Sequence, residues 1–323
     1  MTQPSAPRRQ LLKAVAALGA AGLAGCAHTG PAVRPQPIVY NPAAKFAVGV
    51  SEVEYRRNEE GRALMARVYA PQGAGPFPVL VDLHGGAWNA KNRTAEQPMD
   101  RAIAESGVVV IAIDLTLASQ APYPASVRDA NYGVRWVKTH AAMWKGDPTT
   151  LGLYGSSSGG HVGELLVLRP DDPRYNALPM PGAEGVNARV AYMAARAPIS
   201  NTWMRFKNAE DRKRERMMNN NRAYFVPFDA IHEANPQEIL DRHEKVGMVP
   251  MLVMQGGMDD NMLPRFQQRF VASYKAAGGD ITYSEFQGCV HEWTAEPGPQ
   301  TDRAHEMVKA FIARQMAAGR RVA

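Results

Sequence analysis

An apolar run, Thr150–Tyr154, ends in Gly155-Ser156-Ser157-Ser158-Gly159-Gly160 and passes directly into an apolar segment with no helix breaker. This order constrains the fold more than any other stretch of the chain. A short buried strand must reverse within a few residues and enter a helix. In so tight a turn, the residues two positions either side of the serine must lack bulk, and glycine occupies both. The helix amino terminus places backbone N–H groups and a partial positive charge beside the serine. Strand, turn and helix around G-x-S-x-G make Ser157 the expected nucleophile, with Ser156 and Ser158 as turn residues. Gly160 is expected to ease packing of the helix on the sheet.

The rest of the chain repeats the same alternation. Strands are expected at Val50–Tyr55, Leu64–Tyr69, Pro78–Leu83, Gly107–Leu115, Thr150–Tyr154, Val190–Ala195, Pro250–Gln255 and Ile281–Phe286. Several are β-branched runs without polar alternation, as in strands buried on both faces. Helices are expected at about Ala125–Trp144, after the serine turn, at Leu263–Ala277 and at Thr301–Ala318. Strands alternating with helices imply an α/β fold with a mostly parallel sheet of eight strands, covered on both faces. Residues 201–247 break this rhythm with the charged stretch Arg205–Arg216 and an aromatic group, Tyr224, Phe225 and Phe228. They read as a small cap or insertion, and the charge run as a solvated helix face.

The chain has 323 residues, 45% of them apolar, so it can build a large core. Its formal charge of +6 falls to about +3 without Arg8, Arg9 and Lys13, which argues against a nucleic-acid partner. No zinc-like Cys/His spacing and no phosphate-binding glycine loop is present, so no metal and no cofactor are expected. Arg8-Arg9 before Leu11-Leu12-Lys13 resembles the twin-arginine export motif, with Pro7 and Leu11 departing from it. An apolar run from Ala14 to Ala24 follows, too short to span a bilayer. It ends in Leu23-Ala24-Gly25-Cys26, which resembles a bacterial lipobox. The expectation is a signal peptide over residues 1–25, lipidation at Cys26 and a tether over residues 26–45. The catalytic domain then spans residues 46–323 of an exported, periplasmic or outer-membrane lipoprotein, held at the membrane by its lipid alone. Of the two cysteines, this leaves only Cys289 in the folded part, read as a small apolar core residue. Oligomeric state is open.

His84-Gly85-Gly86-Ala87-Trp88 follows the strand Pro78–Leu83. With G-x-S-x-G, it resembles the hormone-sensitive-lipase and feruloyl-esterase-like group of α/β hydrolases. The resemblance covers about Val50 to Met316 and implies an oxyanion hole made by the N–H groups of Gly86, Ala87 and Ser158. His84 is expected to bond its own loop. The acid and base should follow the serine in the order Ser, Asp, His. After the strand Pro250–Gln255 comes Gly256-Gly257-Met258-Asp259-Asp260-Asn261-Met262-Leu263-Pro264. Alignment on Pro264 selects Asp260 as the acid, and spacing from Gly256 gives Asp259 as the alternative. His291, in Gly288-Cys289-Val290-His291, resembles the family's histidine loop, and it alone among the eight histidines sits where a loop leaves a late strand. Leu115-Thr116 departs from the Tyr-Arg usual in relatives, which loosens assignment to any one subfamily.

These parts each follow the carboxyl end of a different strand, the edge at which parallel sheets bind ligands. The expected activity is hydrolysis of carboxylic esters through an acyl-enzyme, on a small or polymer-derived ester, with Trp88 and Trp293 beside the substrate. An amidase of the aryl-formamidase type is the alternative, since H-G-G-x-W occurs there also. A catalytically inactive binding lipoprotein is the reading from a different class.

Overall fold

The computed structural model describes residues 38–322; the Arg8-Arg9 pair and Cys26 lie outside them. Eight strands form one sheet in the order β1-β2-β4-β3-β5-β6-β7-β8. Their spans are β1 Val48–Arg57, β2 Ala63–Pro71, β3 Val79–Leu83, β4 Val109–Ile113, β5 Gly152–Ser156, β6 Met193–Arg196, β7 Met251–Gly256 and β8 Ile281–Phe286. The pairings β1–β2 and β2–β4 are antiparallel, and those from β4 through β8 are parallel. Nine helices are described: α1 Gln97–Glu105, α2 Ala125–His140, α3 Ser158–Leu168, α4 Thr202–Asp211, α5 Glu215–Tyr224, α6 Ala230–Glu233, α7 Pro236–Asp241, α8 Pro264–Ala276 and α9 Pro299–Ala317.

Alternation along each strand sorts the interior into two layers. Val79, Val81, Leu83, Ile111, Leu153, Met193 and Val253 join one core, with Val134 of α2, Leu165 of α3 and Phe270 of α8. Leu80, Val110, Tyr154, Ala194 and Leu252 join the other, with Ile103 of α1 and Phe311 of α9. The fully buried runs of β3 and β4, apolar but for Asp82, therefore serve both layers at once, which is why they show no polar alternation. Each such side chain contributes about 1.5–3 kcal/mol by leaving water.

The fold expected from the sequence holds, down to the eight strands. Helix α1 lies in a stretch with no clear helical period, where only Pro98 near its start marks a terminus. Its apolar contacts are Met99, Ile103 and Ala104, three positions on one face. The expected helix over Ala125–Trp144 is shorter: α2 ends at His140 and a 3₁₀ turn covers Ala141–Trp144. Residues 201–247 hold α4 to α7, between β6 and β7.

Candidate active site

The site is assembled at the carboxyl ends of β3, β5, β6 and β7 and on the loop after β8. Ser157 sits between β5 and α3 at φ 50°, ψ −113° and is almost fully buried. A non-glycine residue is rare in that backbone region, and here the surroundings enforce it. Its N–H donates to the Arg196 carbonyl at 2.9 Å, and its own carbonyl accepts from Ile199 N at 3.1 Å. A Cβ on Gly159 would overlap the Leu83 carbonyl oxygen at the end of β3, so only glycine allows α3 to start this close to the sheet.

His291 Nε2 lies 2.8 Å from Ser157 Oγ, and His291 Nδ1 lies 2.7 Å from Asp259 Oδ2. The Asp259 carboxylate is buried and accepts three further bonds: Gln255 Nε2 at 2.9 Å on Oδ2, and Asn261 N and Met262 N, each at 2.9 Å, on Oδ1. Burial alone would raise its pKa. The His291 bond, with those from Met262 and Gln255, outweighs burial and holds it below the usual carboxylate range.

This corrects the choice of Asp260. Asp260 points outward, with its side chain 60% exposed, and pairs with Arg214. Its pKa is lowered chiefly by that Arg214 hydrogen bond. The reason lies in the loop. Asp259 N donates to Gly256 O at 3.2 Å, so the turn is anchored at the end of β7. The Asp259 side chain then folds over the amides of Asn261 and Met262, an Asx-type turn that turns Asp260 to solvent. Counting back from Pro264 therefore reaches the wrong member of the pair.

The loop after β3 supplies the other half of the site. Gly86, Ala87 and Trp88 all have positive φ, at 110°, 51° and 62°. A Cβ on Gly86 would overlap the Ala90 carbonyl, and Gly86 O accepts from Asn89 N and Ala90 N, each at 3.1 Å. Among the described residues, the Gly86 and Ala87 N–H groups have no hydrogen-bond acceptor. Ser158 N, in the first turn of α3, has none within its helix. Three backbone donors of these two loops are therefore without an internal partner. His84 is buried; its Nδ1 donates to Gly85 O at 2.8 Å and its Nε2 accepts from Leu115 N at 3.3 Å. It bonds its own loop and the start of the next one.

The two tryptophans have other places than expected. Trp88 is buried in a stack, its ring 4.6 Å from and 7° to that of Tyr224, with Phe225 on edge. Its Nε1 donates to His161 Nδ1 at 3.1 Å, while His161 Nε2 donates to Ala234 O at 2.7 Å. His161 is thereby neutral, its pKa pushed down to about 4 chiefly by burial. Trp88 is a pillar under the Gly86–Ala87 loop. Trp293 packs on Phe286 in the core of the α1 and α9 layer, with the Arg196 guanidinium 5.8 Å over its ring. It is a core residue rather than a substrate wall.

Several site residues escaped the sequence reading. Gln255 steadies Asp259. Arg205, buried on α4, donates from Nε to Asn261 Oδ1 at 2.8 Å and lies 5.6 Å over the Trp88 ring. Its pKa falls to about 10 through burial, which Asp259 opposes. Arg205–Asn261, Arg214–Asp260 and Asn89–Asn220 tie α4 and the start and body of α5 to the Asp259 and Gly86 loops. The segment 201–247 thus supports the site. Arg196 and Glu96 were missed too, although a lone arginine closing the apolar strand Met193–Arg196 was a visible signal.

The profile of the BD-FAE family matches residues 67–273. Esterase LipQ of Mycobacterium tuberculosis is 25% identical over 297 residues, covering 85% of this chain and 65% of that protein. The probable carboxylic ester hydrolase LipM of the same organism is 34% identical over 117 residues, 36% of this chain and 26% of that one. The matched region thus spans under two thirds of each of these relatives. Thermogutta terrifontis esterase 2, solved phosphorylated by paraoxon, superposes with a TM-score of 0.66 at 20% identity, over 82% of this chain and 94% of that one. At that identity the likeness speaks for the fold. By sequence profile and by architecture, the chain belongs to the BD-FAE family and carries the α/β-hydrolase fold.

Proposed function

We propose that the protein hydrolyses carboxylic esters through an acyl-enzyme on Ser157. The observation that carries this reading is the continuous relay from Ser157 Oγ through His291 to Asp259, at 2.8 Å and 2.7 Å. A serine hydroxyl is a poor nucleophile at neutral pH. His291 Nε2 takes its proton as Oγ attacks the substrate carbonyl. Asp259 fixes the imidazole tautomer, with the proton on Nδ1, and stabilises the imidazolium. Charge on the carbonyl oxygen is met by the N–H groups of Gly86, Ala87 and Ser158; one such donor is worth about 10²–10³ in rate. His291 then protonates the departing alcohol, and water activated by the same nitrogen releases the acid. No step calls for a metal or cofactor. The names of LipQ and LipM, both ester hydrolases, support the same substrate class.

Export belongs to the same proposal. Arg8-Arg9, the apolar run to Ala24 and Cys26 support a lipid-anchored protein meeting its substrate outside the cytoplasm. Replacing Cys26 by Ser should move the full chain from the membrane pellet to the soluble fraction. Retention in the pellet would remove the anchor from the proposal.

The test of the activity is hydrolysis of short-chain nitrophenyl esters and of an aryl formamide by the leaderless protein, beside Ser157→Ala. Ester turnover lost in the variant is the expected result. Turnover of the formamide alone would move the assignment to the amidase. Unchanged ester turnover in Ser157→Ala would remove the serine from the mechanism, and a folded protein inert to all probes would favour a binding role.

A further inference from the structure

We infer that Arg196 and Glu96 form a buried positioning pair that sets the distance between Ser157 and His291. The inference rests on the hydrolase reading above. Arg196 closes β6 and is almost fully buried, as is Glu96 at the start of α1. Arg196 Nη1 donates to the backbone carbonyl of His291 at 2.6 Å. Its Nη2 donates to Glu96 Oε1 at 3.0 Å, and the same carboxylate oxygen accepts from Ser156 Oγ at 2.6 Å. The Arg196 carbonyl takes the N–H of Ser157 at 2.9 Å. One residue thus grips both ends of the reacting pair: the amide of the serine with its backbone, and the carbonyl of the histidine with its side chain.

No other described hydrogen bond holds the His291 backbone to the sheet. The histidine lies on a loop, between Val290, which is exposed, and Glu292, which pairs with Lys91 on the surface. The imidazole is fixed by Asp259 at one nitrogen, and the loop is tied two residues earlier where Cys289 O accepts from Met258 N at 2.9 Å; Arg196 supplies the contact on the histidine's own main chain. The planar guanidinium suits this task. It presents two donors at a fixed angle, one to a carbonyl and one to a carboxylate, which a lysine ammonium cannot reproduce rigidly. Glu96 keeps the guanidinium charged in the interior, outweighing the burial that would lower its pKa. The Ser156 bond carries the same restraint to the residue before the nucleophile. A displacement of the order of 1 Å at a reacting group costs about 10²-fold in rate, so a strut of this kind acts on turnover rather than on binding.

The alternative is that the pair only balances charge under the sheet, where Asp82 and Asp100 are also buried. Two variants and two readouts separate the cases. Arg196→Met leaves Glu96 uncompensated and is expected to unfold at lower temperature, which either role would cause. Glu96→Gln combined with Arg196→Met removes both charges and is expected to melt within a few degrees of the parent. In that double variant, nitrophenyl ester turnover should show kcat lowered about 10²-fold with KM changed less than about twofold. The low-field proton resonance of His291 Nδ1–H, a signature of its bond to Asp259, should broaden or vanish while the protein stays folded. A stable double variant with parental kcat and an intact resonance would overturn the inference. The resonance is read without turnover, so it decides the strut even if the parent proves inactive on esters, an outcome that would sink the hydrolase reading separately.

Discussion

The Ser157 turn and the Asp259 loop lie at the same edge of the sheet, after β5 and β7 with β6 between them, and are held by opposite means. The turn is fixed by backbone. Gly155 and Gly159 allow main chain to pass where a side chain would collide, and Ser157 is carried into positive φ as a consequence. The acid loop is fixed by side chains. Asp259 holds its place by accepting from His291, Gln255, Asn261 and Met262, while Arg205 and Arg214 brace the same loop from α4 and α5. The Ser157 turn is thus rigid through a local geometry that its glycines make visible in the sequence. The Asp259 loop is rigid through contacts spread over the chain.

The largest expected effect breaks the acid side. Asp259→Asn should lower kcat on nitrophenyl esters by about 10⁴, because the amide can present the wrong group to His291 Nδ1 and invert its tautomer. Steady-state kinetics read this directly, and a loss under tenfold would contradict the assignment of Asp259. The turn side should break differently. Gly159→Ala forces a methyl onto the Leu83 carbonyl and should cost about 1–3 kcal/mol of stability with activity lost in proportion to misfolding, as measured by urea unfolding.

The ground beneath the turn sharpens the contrast. Asp100 and Asp82 are buried with no hydrogen-bond partner among the described side chains, and burial raises both pKa values well above the carboxylate range, with neighbouring carboxylates adding to it. The folded state therefore holds protons that the unfolded state releases above about pH 4, so their contribution to stability falls as pH rises from there. Asp100→Asn should raise the melting temperature at pH 8 and leave it nearly unchanged at pH 4. A gain of equal size at both values would mean that Asp100 is not protonated in the fold. The smallest effect belongs to Asp260→Asn. That exposed carboxylate and Arg214 make a surface pair worth about 0–1 kcal/mol, and kcat should stay within about twofold of the parent.

The same division decides what the sequence could reveal. The eight strands are legible because short extended runs, several of them apolar and β-branched like β3 and β4, recur between helical segments, and the turn at Ser157 is legible because its glycines are a local requirement. Asp259 is not, since choosing between two adjacent aspartates needs the direction of a side chain in a turn set by Gly256. Trp88 and Trp293 look alike beside their motifs, yet one stacks on Tyr224 after the Gly86–Ala87 turn and the other packs with Phe286 in the layer of α1 and α9. Arg205 read as part of a solvated charge run, and only the packing of α4 on the Asp259 loop buries it. Glu96 and Arg196 stand 100 positions apart, and no local pattern joins them.

The central claim is that Ser157 is the reacting atom's home and that His291 and Asp259 activate it. The most direct measurement is labelling of the folded, leaderless protein with a fluorophosphonate, followed by peptide mass spectrometry to locate the adduct. A single adduct on Ser157, formed rapidly in the parent and in Asp260→Asn but far more slowly in Asp259→Asn, is the predicted result. An intact protein that takes no label, or takes it on another serine, would contradict the account.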